Sequence, residues 1–541
     1  MVLLLVHVAI AAHIVQWQIT GSTLSPVEPS ESMQTLEQGL VNAGFILFAL
    51  SILSTAIFGR FFCGWACHVI ALQDACTWML GKVGLRPRPF RTRLLIFAPV
   101  VLALYMFAWP NVKRHLLFPA LEALDVARPF WLKDVATITR FESELIVEDF
   151  WVTFPPWYVA IPFLFVCGFA TVYFLGNKGF CTYACPYGGF FAPVERLSPV
   201  RIRVNDDCEH CGHCTAVCTS NVRVHEEVRD YGAVVDPGCM KCLDCVSACP
   251  NDALSLGIGL PAVLTKARNA DSVRASRAKA KRRYDMTLRA EVLFALIFLA
   301  LFLSYRGMLN GVPMLMAGGI GAIGVALIWK AWETLRTPNS RLHRFQLRRA
   351  GRLRPAGAAF LLLVALFLAG GAWGGTIRTN RFLSDLDYMR AEIPGAMAVR
   401  ADFDTSDATR DAARRAAARY GRADAFGQGG FGWALDPDSL LRLAYFQTIA
   451  GDSRGAIETI ERIVEVGRPL DELVNQYVQL LIADGRSPED VKRALEHVLD
   501  RHPVLTGVRT RLATFAAGEG RTEDALALLD AAPLEDARAM V

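Results

Sequence analysis

Eight cysteines in two tight runs carry the strongest chemical signal in the chain. Cys208, Cys211, Cys214 and Cys218 are spaced x2, x2 and x3, and 21 positions on the same spacing recurs in Cys239, Cys242, Cys245 and Cys249, followed by Pro250. Three thiolates at this spacing grip three neighbouring iron corners of one [4Fe–4S] cubane, and the fourth reaches across to the other cubane. The spacing therefore assigns Cys208, Cys211, Cys214 and Cys249 to one cluster, and Cys239, Cys242, Cys245 and Cys218 to a second. Small residues between them (Gly212, Ala216, Ala248) let the backbone approach the sulfides. Zinc also takes x2 cysteine pairs, but a duplicated x2-x2-x3 run points to two cubanes. Thr219 stands where proline usually follows the fourth cysteine, which should alter a turn rather than ligation. His210 and His213 lie inside the first run, placed to tune its potential.

Four further cysteines form two x3 pairs, Cys63 with Cys67 and Cys181 with Cys185. Brought together, they present four thiolates, the complement of a third iron–sulfur cluster. Gly64, Trp65, Tyr183 and Gly188 beside them would allow close approach and keep the site dry. His68 is placed to replace a thiolate or to tune the potential. The residues leave a second reading open, in which each pair is a structural thiol or a transient metal-handling site. Cys76 and Cys167 lack partners at ligand spacing and read as packing residues.

The elements that must position these groups are membrane helices. The chain has 541 residues, 53% hydrophobic and 20% charged, with a mean hydropathy of +0.30. A soluble domain runs nearer about 25% charged, so a wholly soluble or disordered chain is excluded. The net charge of +5 gives no case for nucleic acid, and fourteen clustered cysteines make no disulfide scaffold. No Cys-x-x-Cys-His occurs, which excludes an ordinary c-type haem attachment. Apolar runs predict about seven spans, at 1–19, 41–58, 94–110, 157–176, 290–308, 311–329 and 357–376. The first reads as a retained helix rather than a cleaved signal, because no Lys or Arg precedes it.

Basic loops set the orientation. Arg60, Lys82, Arg86, Arg88, Arg91 and Arg93 face only Asp74 within 59–93, and 266–289 and 330–356 are strongly basic, whereas 20–40 holds Glu28, Glu31 and Glu37 and no basic residue. This predicts 59–93, 177–289 and 330–356 in the cytoplasm and the tail from 377 outside. The stretch Pro26–Glu31 offers two acids that could relay protons from a quinol, though a solvated turn explains it as well. His7 and His13 sit in the first span and His115 near a span end. Six apart, His7 and His13 share a helix face poorly, so hydrogen bonding or a quinone site explains them better than haem b, which stays open.

The tail has its own rhythm. Gly451, Gly485 and Gly520 sit in similar turns 34 and 35 residues apart, each ahead of an apolar-periodic helix (455–466, 488–499, 523–529). That period is the tetratricopeptide signature, and such solenoids bind partners rather than do chemistry. Gly427–Gly432 reads as a flexible linker.

The region 20–260 resembles the membrane polyferredoxins of the NapH/NosR/CcoG type. The likeness rests on Cys63-Gly-Trp-Ala-Cys67 after one span and Cys181-Thr-Tyr-Ala-Cys185-Pro-Tyr-Gly188 after another, both followed by the ferredoxin module. His68 replaces the family's usual proline, and neither a NosR-like flavin-attachment signature nor a CcoG-like immunoglobulin tail is present. The resemblance implies electron transfer for a periplasmic respiratory system, or help in metal-centre assembly.

The expected fold is an all-α polytopic bundle with an inserted α+β two-cluster ferredoxin and a C-terminal helical repeat domain. Its parts are a membrane domain with four spans (1–176), a cytoplasmic ferredoxin with the second x3 pair (177–260), a basic linker with three spans (261–376), a linker (377–435) and a periplasmic repeat domain (436–541). The expected function is an iron–sulfur electron-transfer subunit in the bacterial inner membrane, linking the quinone pool or cytoplasmic-face donors to a periplasmic respiratory complex. The alternatives are a metal-ion-reducing assembly factor and a redox-sensing scaffold. No catalytic residue is expected in the chain itself.

Overall fold

The structure is a computed structural model. It describes all residues except 1, 86, 88, 127, 129–131, 133, 150–154, 269, 270, 272, 274–283, 391, 392, 394–404, 468 and 531–541. Arg86, Arg88 and most of the basic stretch 266–289 lie outside the described residues. The chain divides into two compact units, Met1–Ala372 without 129–133, and Trp373–Val541 with 129–133.

Among the described residues six helices are long and apolar enough to cross a membrane: Val2–Thr20, Leu95–Ala123, Trp157–Leu175, Leu288–Tyr305, Met314–Arg336 and Pro355–Tyr388. The second expected span, 41–58, is helical over Ala43–Phe58, only 16 residues. At 1.5 Å per residue it reaches about 24 Å, a few ångströms short of a hydrocarbon core of about 30 Å, a mismatch that local thinning of the bilayer absorbs. The expected span 94–110 extends instead to Ala123, so His115 lies inside it. That helix carries π turns at Leu104–Ala108 and Lys113–Leu117, flanking Trp109-Pro110. Proline removes an N–H from the ladder, and a wider turn absorbs the misfit.

Packing centres on Met314–Arg336, whose small residues Ala317, Ala322, Val325 and Ala326 are buried. A Cβ on Gly324 would come within 2.5 Å of Leu301 and 2.8 Å of Phe367. The glycines there let neighbouring helices approach closely, as membrane packing favours.

The turn Pro26–Glu31 keeps Glu28 and Glu31 half-exposed, but the stretch around it is tied down on both sides. Thr23–Leu24 pairs antiparallel with Ile146–Val147, Leu40–Val41 pairs parallel with Glu142–Ser143, and Ser25, Ser32, Thr35 and Asn42 are buried. Buried Asn42 caps the helix Ala43–Phe58, accepting from Phe45 N. His13 and His7 make hydrogen bonds, to Thr23 Oγ1 and Leu3 O, both at 2.8 Å.

The ferredoxin region is α+β as expected. Val200–Val204 pairs antiparallel with Leu254–Ile258, and these two strands close the region around both cysteine runs. Ile202, Val222, Val224, Val228 and Val234 form its core together with Cys239 and Cys245.

The described residues of the second unit are mainly helical, with Asp407–Ala423, Pro437–Ile449, Ser453–Val466, Asp471–Ala483, Pro488–Arg501, Thr506–Gly518 and Thr522–Asp530. The expected linker 377–435 is not a plain tether. Ala413, Ala416 and Tyr420 share a core with Leu435 and Phe446, and a Cβ on Gly430 or Gly432 would meet Asp424 O at 2.2 Å or Ala423 O at 2.3 Å. These glycines serve close packing, not flexibility.

Candidate iron–sulfur sites

The two cysteine runs fold the same way. Each bends through two left-handed residues, His210 (φ 57°) and Gly212 (φ 82°) in the first, and Lys241 (φ 53°) and Leu243 (φ 66°) in the second. A short helix follows each bend, His213–Val217 or Asp244–Ser247. Successive left-handed turns aim backbone N–H groups into a concavity suited to an anion. Cys208, Cys211, Cys214 and Cys249 line one such concavity, with His210 and His213 on its wall. Ala253 N donates to Cys249 Sγ at 3.3 Å.

The remaining four thiols gather separately. Cys218, Cys239, Cys242 and Cys245 lie within electrostatic reach of one another. Burial, reinforced by Cys239 and Cys242, pushes the Cys218 thiol up to about 12, and burial also raises Cys214 and Cys242. Thiols so placed ionise only if a cationic centre offsets the charge, and an iron–sulfide core supplies one. Among the described residues no three His, Cys, Asp or Glu side chains close on a point tightly enough for a single metal ion. A cubane's thiolates stand further apart because the cluster itself lies between them. Beyond Cys218 and Thr219 the turn continues through Asn221 (φ 60°), whose Nδ2 donates to Asn177 O at 3.1 Å.

The two x3 pairs are built by one repeated motif. Helix Ala43–Phe58 ends at Gly59 (φ 72°); a five-residue helix, Phe61–Trp65, carries Cys63, and Cys67 caps the helix His68–Lys82. Helix Trp157–Leu175 likewise ends at Gly176 (φ 94°); Gly179–Tyr183 carries Cys181, and Cys185 caps Pro186–Glu195. Cys67 N and Cys185 N each donate to the carbonyl five residues back, Phe62 O at 3.1 Å and Phe180 O at 3.0 Å. The motif folds both pairs inward, and all four thiols stand within electrostatic reach of one another. Val69 and Ile70 amides face Cys67, and Tyr187 and Gly188 amides face Cys185. Helix N-termini favour such an anion.

Three residues around this group were not singled out from sequence. Arg60, 5% exposed, places Nη2 3.9 Å from Cys63 Sγ. Gln73, fully buried, donates from Nε2 to Cys181 Sγ at 2.9 Å and accepts at Oε1 from Phe180 N at 3.2 Å. Glu195, also fully buried, accepts at Oε1 from Arg201 and Lys241, each at 2.8 Å. Charged and amide residues in otherwise apolar segments were the available signal. Four inward thiols with a buried cation and an amide donor beside them fit an anionic thiolate-ligated cluster. His68 turns its Nε2 to Glu28 Oε1 at 3.5 Å. Cys76 and Cys167 are buried in apolar clusters, and that of Cys167 packs against Cys185.

Known proteins share these features. A 4Fe-4S binding domain family matches residues 42–86 and 158–205, one x3 pair in each segment, and a 4Fe-4S dicluster domain family matches 200–250. These matches support [4Fe–4S] clusters held by the cysteine-bearing segments. It is 26% identical over 36% of its length to the methylamine utilization ferredoxin-type protein MauN of Methylorubrum extorquens, covering 60% of that protein. It is 25% identical over 39% of its length to the ferredoxin-type protein NapH of Haemophilus influenzae, covering 65% of it. To the putative electron transport protein YccM of Escherichia coli it is 26% identical over 42% of its length, covering 58%. The match spans about three-fifths of each of these relatives. No solved structure matches the chain. The matched part of the chain is similar to membrane ferredoxin-type proteins of the NapH and MauN kind.

Proposed function

We propose that the chain is the iron–sulfur relay of a respiratory electron-transfer system in the bacterial cytoplasmic membrane, exchanging electrons among the quinone pool, cytoplasmic-face donors and a periplasmic redox partner. The observation that carries this reading is the convergence of Cys63, Cys67, Cys181 and Cys185 directly beneath a two-cluster ferredoxin. In this reading Cys208, Cys211, Cys214 and Cys249 hold one cluster, Cys239, Cys242, Cys245 and Cys218 a second, and the two x3 pairs a third. Each cluster supplies one-electron redox chemistry. The protein's own residues exclude water, orient the sulfurs and set the local charge: Arg60 offsets thiolate charge, and Gln73 donates to a sulfur.

Loop charges support a cytoplasmic ferredoxin and a periplasmic tail. The tail's helix pairs, with turns at Gly451, Gly485 and Gly520, support a tetratricopeptide-like surface that docks the partner. Fusing a reporter after residue 541 tests the orientation: it should be active only in a periplasmic form, and activity confined to the cytoplasm would refute it. Removing 436–541 should release the partner while iron content stays constant, and an intact complex after that deletion would refute docking.

A further inference from the structure

The two halves of the ferredoxin are unlike in their surroundings. In the first group Cys211 is exposed, whereas in the second Cys239 and Cys245 are buried. The second run lies against the turn that carries Cys63 and Cys67. Trp65 Nε1 donates to Lys241 O at 2.8 Å, and Arg60 Nη1 donates to Pro237 O at 3.2 Å. A Cβ on Gly64 would stand 2.3 Å from Met240 O, and one on Gly59 would stand 2.6 Å from Lys241 Cε. Gly64 therefore needs to be glycine for the two backbones to touch, whereas Gly59 meets only the Lys241 side chain.

The Lys241 side chain then runs to Glu195 Oε1 at 2.8 Å. Glu195 ends the helix that Cys185 caps. One short segment, Pro237–Cys242, thus contacts both arms of the four-thiol group while supplying two of the second group's thiols. Electron transfer weakens steeply with separation, so a contact of backbone on backbone is the natural crossing point.

We infer that electrons pass between the ferredoxin and the membrane thiols only through the second group, with Gly64 and Trp65 as positioning residues and the exposed first group as the outward port. This rests on the reading of Cys63, Cys67, Cys181 and Cys185 as cluster ligands. The step moves one electron: the second group's centre is oxidised by one as the membrane centre is reduced by one, or the reverse. No bond forms or breaks, and no proton moves.

The test is low-temperature EPR of the full-length protein, purified under argon and reduced with dithionite. The wild type should show a magnetic interaction between the second-group and membrane centres. Gly64→Ala should lose that interaction while keeping about twelve irons. Trp65→Phe, which keeps the ring and removes the hydrogen bond, should weaken it, and Cys211→Ser should leave it intact. An interaction unchanged in both Gly64→Ala and Trp65→Phe, or abolished by Cys211→Ser, would overturn the inference alone. A wild type with about eight irons would instead overturn the reading on which it rests.

Discussion

Gln73 Nε2 donates to the sulfur of Cys181 at 2.9 Å, across 108 residues of sequence. A hydrogen bond to a thiolate stabilises the more negative, reduced state of the centre it ligates. Gln73→Leu should therefore keep iron content and lower the potential of the membrane centre. The shift should be tens of millivolts, since about 59 mV accompanies each tenfold change in a one-electron equilibrium. Redox titration followed by EPR measures it; an unchanged potential would remove Gln73 from the site.

Glu195 holds two cations where water cannot reach. Glu195→Gln leaves Lys241 and Arg201 buried beside a neutral group, which should cost about 3–5 kcal/mol. Hydrogen exchange should then rise across Val200–Val204 and the 237–242 loop, and the second-group EPR signal should broaden. Protection equal to wild type would show that the three charges contribute nothing there.

Leu495 is fully buried in the core formed by helices 453–466, 471–483 and 488–501. Leu495→Ala should destabilise that region by about 2–5 kcal/mol, seen as earlier proteolysis within 436–530. Cluster content should not change, because the tail supplies no cysteine. Loss of iron in this variant would contradict the division of labour.

Acid should loosen one tail helix in a defined direction. The Ser487 hydroxyl and backbone N–H, with Arg493 beyond them, hold the Asp490 carboxyl below its ordinary range. Such a group contributes stability above the ordinary aspartate value of about 3.9, and that contribution is lost as pH falls through the lower folded value. Amide exchange at the start of Pro488–Arg501 should rise on acidification. Asp490→Asn should show fast exchange already at neutral pH and lack the acid step.

The two thiol groups were legible from spacing because each draws three cysteines from one short loop, and the structure brings Cys249 beside the first three and Cys218 beside the second. The long spans were legible because hydropathy is local. Ala43–Phe58 was legible as an apolar helix, but not why it is short: it stops at Gly59 so that the chain can fold back through Cys63 to Cys67. The polar partners Arg60, Gln73 and Glu195 were not legible, since each acts on a residue that only tertiary packing brings near. Glu28 looked solvated for the same reason: its partner His68 is 40 positions away. Gly430 and Gly432 read as linker because sequence alone cannot tell a glycine that bends from one that lets backbones touch.

The measurement that bears most directly on the account is the iron and acid-labile sulfide content of the full-length protein purified under argon, alongside Cys67→Ser and Cys185→Ser. Three clusters predict about twelve irons per chain, falling to about eight in either variant with the two ferredoxin signals retained. About eight irons in the wild type, unchanged by either substitution, would contradict it, as would stoichiometric zinc with little iron.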